Sequence, residues 1–251
     1  MDLLNLGIPL GRWFGTRVFL SIWHLVMLAY IASAYREDGP LVMAVIAFVY
    51  FMSILLHEFG HVVACRSVGG VADHIVLGPM GGLAMVRPPD RPFPHFVTTA
   101  GGPLVNAILW AIFWGILHSK ALNPIFETGS TLSIVLWFFF RGMMVINELL
   151  LIFNLLPIFP MDGGRLLQNI LWPTVGYRES LRFTGMIGTV GGVGLAVLGL
   201  GLWEVKIPYV DFSMGGQGNY NTFLLIIGIN CAMASWGLYQ RAKEMQGWRK
   251  N

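Results

Sequence analysis

Long apolar runs, separated by short polar stretches, dominate this chain of 251 residues. A helix needs about 20 apolar residues to cross a bilayer, because the hydrocarbon core is about 30 Å thick and an α-helix rises about 1.5 Å per residue. The pattern predicts six such helices, over residues 18–34, 41–65, 96–117, 132–156, 183–202 and 222–239. We therefore expect an all-α polytopic membrane protein in which residues 1–251 form one integral-membrane domain.

The first of these segments carries a competing signal. It ends in Ala32-Ser33-Ala34, which resembles a signal-peptidase cleavage site. However, its basic residues follow a long start, and Trp23 and His24 interrupt the apolar core. We therefore expect a retained helix, and its removal would leave the orientation of the other helices unchanged.

A glycine-rich stretch over residues 69–86 separates the second helix from the third. Its β-branched residues and the turn signal Gly78-Pro79 indicate a short hairpin that cannot span a membrane. The open edge of such a hairpin could pair with an extended peptide by strand addition. A plain re-entrant connector is the alternative.

The composition and the distribution of charge agree with a membrane protein. Hydrophobic residues make up 55% of the chain and charged residues 12%, whereas a soluble domain is about a quarter charged. Twelve of the 16 Lys and Arg residues lie on one side of the predicted helices and three on the other, and Arg141 lies within the fourth predicted helix. This bias predicts that both termini are cytoplasmic, and we expect a bacterial cytoplasmic membrane. The net charge of +3 belongs to these loops, so we expect no nucleic-acid partner.

The second predicted helix contains His57-Glu58-Phe59-Gly60-His61, an H-E-x-x-H pattern. Side chains at i and i+4 share one face of a helix, so His57 and His61 can bind one metal ion, and Glu58 can reach a water there. An ionisable residue inside an apolar span is costly and is usually functional. The alternative is a pair of histidines packed in a helical bundle.

A third ligand is needed, because a catalytic zinc site has three protein ligands and an open position. Asp162 is a candidate at the end of the fourth predicted helix. Pro157 and Pro160 break the helix before it, and two glycines follow it. Such a break at membrane depth is tolerated where it is buried in protein or lines a wet cavity. A simple turn at Asp-Gly-Gly is the alternative.

Together these segments resemble the site-2 protease family of intramembrane zinc metalloproteases. The resemblance rests on the H-E-x-x-H pattern, on the segment from Asn154 through Asp162, on Gly102-Pro-Leu-Val-Asn106 and on Pro79-Met-Gly-Gly82. These motifs place a catalytic core at about residues 41–172, with accessory helices at 18–34, 183–202 and 222–239. The chain is similar to the short, sporulation-type branch of the family, and we expect neither a PDZ nor a CBS domain.

The resemblance implies roles for individual residues. His57, His61 and Asp162 would bind one Zn²⁺ per chain, and Glu58 would be the general base that passes a proton to the leaving amine. Further residues would contact the substrate backbone or the oxyanion: Asn106, Asn154, Gly81 and Gly82. Asn147 is a similar polar residue in an apolar helix. For all three asparagines, hydrogen bonding between helices is the alternative.

We therefore predict an intramembrane zinc endopeptidase that acts on transmembrane-helix substrates in the bilayer. A catalytically silent membrane binding or scaffold protein with the same fold is the alternative function. A small transporter would require paired inverted repeats, and the H-E-x-x-H half of the chain has no counterpart. The substrate, the regulated pathway and any inhibitory membrane partner do not follow from the sequence.

Overall fold

The computed structural model describes residues 7–78, 81–119, 122–201, 205–206, 213–214 and 221–245. Two compact units divide the chain, Met1–Ile152 and Phe153–Asn251. The first unit contains β1 (Gly7–Trp13), β2 (Thr16–Ser21), α1 (Ile22–Ser33), α2 (Pro40–Ser67), β3 (Val71–Gly78), β4 (Gly81–Arg87), α3 (Pro92–His118), α4 (Asn123–Phe126) and most of α5 (Thr131–Leu155). The second contains α6 (Asp162–Val175), α7 (Tyr177–Gly199), β5 (Val205–Lys206), β6 (Ser213–Met214) and α8 (Thr222–Glu244).

A four-stranded sheet in the first unit has the order β1-β2-β3-β4. β2 and β3 are parallel, and the other two pairs are antiparallel. β3 and β4 lie between α2 and α3, in the stretch for which the sequence predicts a hairpin, and residues 79–80 are outside the described part. The protein is mostly helical, as expected, but the all-α expectation needs correction because β1 and β2, which the sequence did not predict, extend the β-structure into a four-stranded sheet. The parallel pairing of β2 with β3 joins the strands into one sheet, and Val18 and Leu20 share a buried core with residues of β3.

The first predicted span, residues 18–34, is divided into β2 and α1. In β2, buried residues alternate with more exposed ones, which is the period of a strand and not of a helix. Ser21 ends the strand and caps α1, because its hydroxyl accepts a hydrogen bond from the backbone N–H of Trp23. At 12 residues, α1 is about 18 Å long, too short to cross a bilayer alone.

The other five predicted spans are confirmed as helices, with limits that differ from the expected ones by at most six residues. The described residues contain five helices that are long and apolar enough to cross a membrane, namely α2, α3, α5, α7 and α8. Each of them is at least 23 residues long and contains an 18-residue stretch of high mean hydropathy. These lengths explain why the helices could be recognised from the sequence without knowledge of their neighbours.

β2 and α1 follow α2 along its length. Arg66, in the last turn of α2, donates a hydrogen bond to the hydroxyl of Thr16 at the start of β2. His24 in α1 stacks on Tyr50 near the middle of α2. The chain then reaches the beginning of α2 through the 3₁₀ turn Arg36–Asp38. The segment from β2 to this turn therefore runs antiparallel to the whole of α2.

In the second unit, glycines allow α7 and α8 to pack closely. A Cβ atom at Gly192 would lie 2.8 Å from the Cα of Ala232, and one at Gly228 would lie 2.7 Å from the Cα of Ala196. Contacts below 3.0 Å are essentially never seen for real Cβ atoms. The two helices therefore touch through backbone at these positions, which is a common way for membrane helices to associate.

Candidate metal centre

His57 and His61 lie one turn apart on α2 with their ring nitrogens directed to the same point. Both side chains are buried, at 5% and 8% exposure. Their Nε2 atoms are 3.2 Å apart. The spacing of four residues produces this arrangement, because it places both side chains on one helix face. The structure thus brings together the pair that the sequence predicts.

The other nitrogen of each ring is held by α3. His61 Nδ1 is 2.9 Å from the backbone carbonyl oxygen of Thr98, and His57 Nδ1 is hydrogen-bonded to Oδ1 of Asn106. A backbone carbonyl can only accept, so the Nδ1 of neutral His61 carries the proton and Nε2 keeps its lone pair. Histidines that bind metals are usually held through their second nitrogen in this way.

Two glycines let α3 approach these rings. A Cβ atom at Gly102 would lie 2.7 Å from Cε1 of His57 and 2.6 Å from Cε1 of His61. A Cβ atom at Gly101 would lie 2.6 Å from the Cβ of Ala64. α3 therefore covers the histidine rings with backbone, and no side chain larger than hydrogen fits at these two positions without displacing α2.

Glu58 is buried, at 4% exposure, and β4 holds its carboxylate. The backbone N–H of Ala84 donates a hydrogen bond of 2.8 Å to Glu58 Oε2. Gly82 packs against the same group, since a Cβ atom there would lie 2.7 Å from Oε1. The carboxylate therefore has one orientation, set by a strand at the edge of the sheet. A carboxylate fixed beside two histidines can accept and return a proton.

Asp162 is the first residue of α6, in the second unit, and it is 8% exposed. Pro157 and Pro160 separate it from α5, which ends at Leu155. The return of the chain is tight, because a Cβ atom at Gly163 would lie 2.5 Å from the carbonyl carbon of Leu155. The prolines and glycines that predict a broken backbone thus do surround Asp162.

Three buried side chains among the described residues are candidates to hold a metal ion: His57 and His61 of the first unit and Asp162 of the second. They offer two imidazole nitrogens and a carboxylate oxygen. Zn²⁺ accepts these donor types in catalytic sites that use three protein ligands. The donor set therefore fits zinc.

The residues that the sequence suggests for substrate contact differ in their surroundings. Asn106 is fully buried, and both ends of its amide make hydrogen bonds within the first unit. Gly81 and Gly82 begin β4. Asn154 is half-buried in the last turn of α5. Substrate contact by these four residues stays a prediction.

Sequence reasoning missed three contributors to this centre: Thr98, Ala84 and Ser53. Thr98 and Ala84 act through backbone groups, so their side chains carry no signal of the role. Ser53 lies one turn before His57 and is hydrogen-bonded to Asn147. Its presence as a polar residue in an apolar helix was the only available indication.

Comparison with known proteins gives consistent relatives. The model of peptidase family M50 matches residues 45–198. A zinc metalloprotease of Methanocaldococcus jannaschii is 29% identical over 215 residues, which cover 84% of this chain and 58% of that protein. A protein of Synechocystis is 26% identical over 223 residues, which cover 83% of this chain and 56% of the relative. The chain therefore spans about half the length of these relatives.

A solved structure shares the fold. The site-2 protease from Methanocaldococcus jannaschii aligns with a TM-score of 0.59 and 23% sequence identity. The alignment covers 93% of this chain and 95% of that chain. The likeness therefore extends over nearly the whole chain.

Proposed function

This chain belongs to peptidase family M50, the site-2 protease family, and from this membership we propose that it is an intramembrane zinc metalloendopeptidase. Its substrates are membrane-anchored proteins, which it cuts in or near their transmembrane segments. One zinc ion serves each chain, the lipid bilayer surrounds the enzyme, and nucleic acid has no part in the activity.

The observation that carries this proposal is the arrangement of His57, Glu58 and His61 on α2. The two Nε2 atoms converge to 3.2 Å, and the buried carboxylate next to them is held by a backbone amide. Burying an ionisable group such as Glu58 in an apolar helix is costly, and a catalytic role in hydrolysis accounts for its presence there. A catalytically silent binding or scaffold protein would have no use for it, so the arrangement favours the enzyme.

We assign three ligands to the metal. His57 and His61 bind it through Nε2, and Asp162 supplies the third ligand from the start of α6. The burial of Asp162 and its position after two helix-breaking prolines support this role. When bound, zinc supplies positive charge that polarises the scissile carbonyl and makes water acidic enough to react near neutral pH.

Glu58 is the general base. It takes a proton from the attacking water and delivers it to the leaving amine. The N–H of Ala84 holds Oε2 of Glu58, so the carboxylate keeps its orientation during both transfers. Asn154 contacts the substrate backbone or the oxyanion, a role that its half-buried position beside the Asp162 segment supports.

We further propose six crossings of the bilayer, the first made of β2 and α1 together. Six strand residues and 12 helix residues extend over about 38 Å, which exceeds the hydrocarbon thickness of about 30 Å. Pairing with β3 satisfies the backbone hydrogen bonds of β2, and packing on α2 covers this backbone, as is required of non-helical backbone at membrane depth. Both termini are then cytoplasmic, in agreement with the distribution of Lys and Arg. Residues 1–251 act as one protease domain with its core at about 41–172, in a bacterial cytoplasmic membrane.

The substrate adds a strand to β4, beginning at Gly81 and Gly82. β4 is the last strand in the order of the described sheet, so one side of it, the open side, has no strand partner among the described residues. Ala84 donates its amide to Glu58 and not to β3, which indicates that the amides of alternate residues such as Val86 also face the open side. A peptide held there in extended form has lost its helical hydrogen bonds, which exposes its carbonyls to attack.

Zinc content and cleavage of the purified protein test the activity. We expect about one zinc per chain in the wild type, clearly less in Asp162→Ala, and unchanged zinc in Asp73→Ala, a matched change at an exposed ion pair with Arg87. Glu58→Gln should keep zinc and fail to cleave a transmembrane substrate. A well-folded wild type that takes up no zinc, or a Glu58→Gln variant that cleaves normally, would refute the proposal.

Strand addition is tested by removing one amide from the open side of β4. Val86→Pro should slow cleavage several-fold without lowering zinc content, because proline has no N–H to offer an added strand. Val86→Ala keeps the amide and is the control. Equal cleavage by the two variants would contradict the pairing.

A further inference from the structure

A chain of hydrogen bonds leads from His57 through α3 and α5 back to α2. His57 Nδ1 meets Oδ1 of Asn106, and Nδ2 of Asn106 donates to Oδ1 of Asn147 at 2.8 Å. Nδ2 of Asn147 donates to the backbone carbonyl of Met143 at 2.7 Å and to the hydroxyl of Ser53 at 3.0 Å. Asn106, Asn147 and Ser53 are fully buried, so no water competes for these groups.

One backbone carbonyl determines the direction of every bond in this chain. The carbonyl of Met143 can only accept, so Asn147 must turn its NH₂ toward it and its oxygen toward Asn106. That oxygen requires a donor, so Asn106 must present its NH₂ there and its own oxygen to His57. The His57 nitrogen that faces this oxygen must carry the proton. Nδ1 is therefore protonated, and Nε2 keeps the lone pair that a metal needs.

We propose that Asn147 is a positioning residue that sets the tautomer of His57 for metal binding. It touches neither the metal site nor a substrate, and it acts by fixing the amide of Asn106. Without it, the Asn106 amide can rotate by half a turn and present NH₂ to His57. The proton then moves to Nε2, and this nitrogen must give up the proton before it can bind a metal.

The same geometry gives Asn106 a use other than substrate contact. Its oxygen and its NH₂ are both engaged, and its side chain is fully buried. His61 provides a comparison. Its Nδ1 faces the backbone carbonyl of Thr98, and a carbonyl can only accept a hydrogen bond, so no second residue is needed to fix the proton on Nδ1. His57 faces a side-chain amide, which can face either way, and so only His57 requires Asn147.

The proposal rests on the proposed zinc site, and it is tested first by metal affinity. Zinc binding to the full chain in detergent is measured in competition with a chelator. Asn147→Leu keeps the size and removes the acceptor, and we expect about 10- to 100-fold weaker binding. Asn147→Asp, when protonated, keeps the acceptor for Asn106 and one of the two donors, and it should recover most of the affinity. Asn230→Leu, at an exposed asparagine of α8 bonded only within its own helix, is the matched control and should bind like the wild type.

The second readout is the tautomer of His57 in the metal-free wild type, which a merely structural role of Asn147 would not move. Nitrogen NMR of ¹⁵N-histidine protein, assigned by loss of one signal in His57→Ala, should show a protonated Nδ1 and a bare Nε2. Asn147→Leu should show a mixture. A protonated Nε2 in the wild type overturns the proposal, and so does a folded Asn147→Leu variant with wild-type affinity. If the wild type binds no zinc, the proposed function fails, whereas the tautomer still decides for or against the relay.

Discussion

Replacement of Gly102 by alanine gives the sharpest prediction for the centre. The new Cβ atom would lie 2.7 Å from Cε1 of His57 and 2.6 Å from Cε1 of His61, where ordinary contacts begin at 3.4 Å. The same Cβ would meet Nε2 of His61 still more closely, so the rings or α3 must move by at least about 0.8 Å. A zinc–nitrogen bond of about 2.0–2.1 Å tolerates errors of about 0.2 Å. We expect zinc affinity to fall at least about 100-fold, which corresponds to about 2.8 kcal/mol.

The assay is zinc binding against a chelator, with thermal unfolding in the same detergent to confirm that the variant is folded. Gly115→Ala is the matched control, because Gly115 lies on the same helix and a Cβ atom there would meet nothing within 4 Å. Both variants replace a helical glycine by alanine, so they share any effect on helix propensity. A folded Gly102→Ala protein that binds zinc as tightly as Gly115→Ala would show that α3 does not cover the histidines as described.

Two further predictions concern stability, measured by the midpoint of thermal unfolding in detergent. Gly192→Ala should destabilise the protein by about 1–3 kcal/mol, because its Cβ would overlap Ala232. Gly194→Ala on the same helix is the control, since its Cβ would meet nothing within 4 Å. Equal midpoints for the two variants would contradict the close packing of α7 and α8. Arg66→Ala should lower the stability by about 1–3 kcal/mol, because it removes hydrogen bonds to the start of β2 and to β3. Arg87→Ala removes only an exposed ion pair and should lower the stability by about 0–1 kcal/mol. A larger loss for Arg87→Ala than for Arg66→Ala would refute this account.

The parts that sequence reasoning predicted well depend on residues close together in the chain. The length of an apolar run such as that of α2 predicts a membrane-spanning helix directly, because the bilayer requires a helix of about that length. His57 and His61 share a face because of helix geometry alone. The prolines before Asp162 predict the end of α5 for a similar reason, since their rings cannot continue a helix.

The segment over residues 18–34 shows where this reasoning fails. Its apolar residues suit a helix or a strand equally well, and an apolar run of this kind does not distinguish them. Val18 becomes part of a strand because it pairs with Ile75, more than 50 residues away. The partner, and not the local pattern, selects the structure.

The sequence by itself determined that the protein lies in a membrane, that α2 carries a candidate metal-binding pair, and that Glu58 accompanies it. Only the tertiary structure decided what holds these groups: a strand amide for Glu58, a carbonyl for His61 and an asparagine relay for His57. The physical reason is the range of each interaction. Helix periodicity acts over four residues, whereas the hydrogen bonds that orient the site join residues 26 to 94 positions apart.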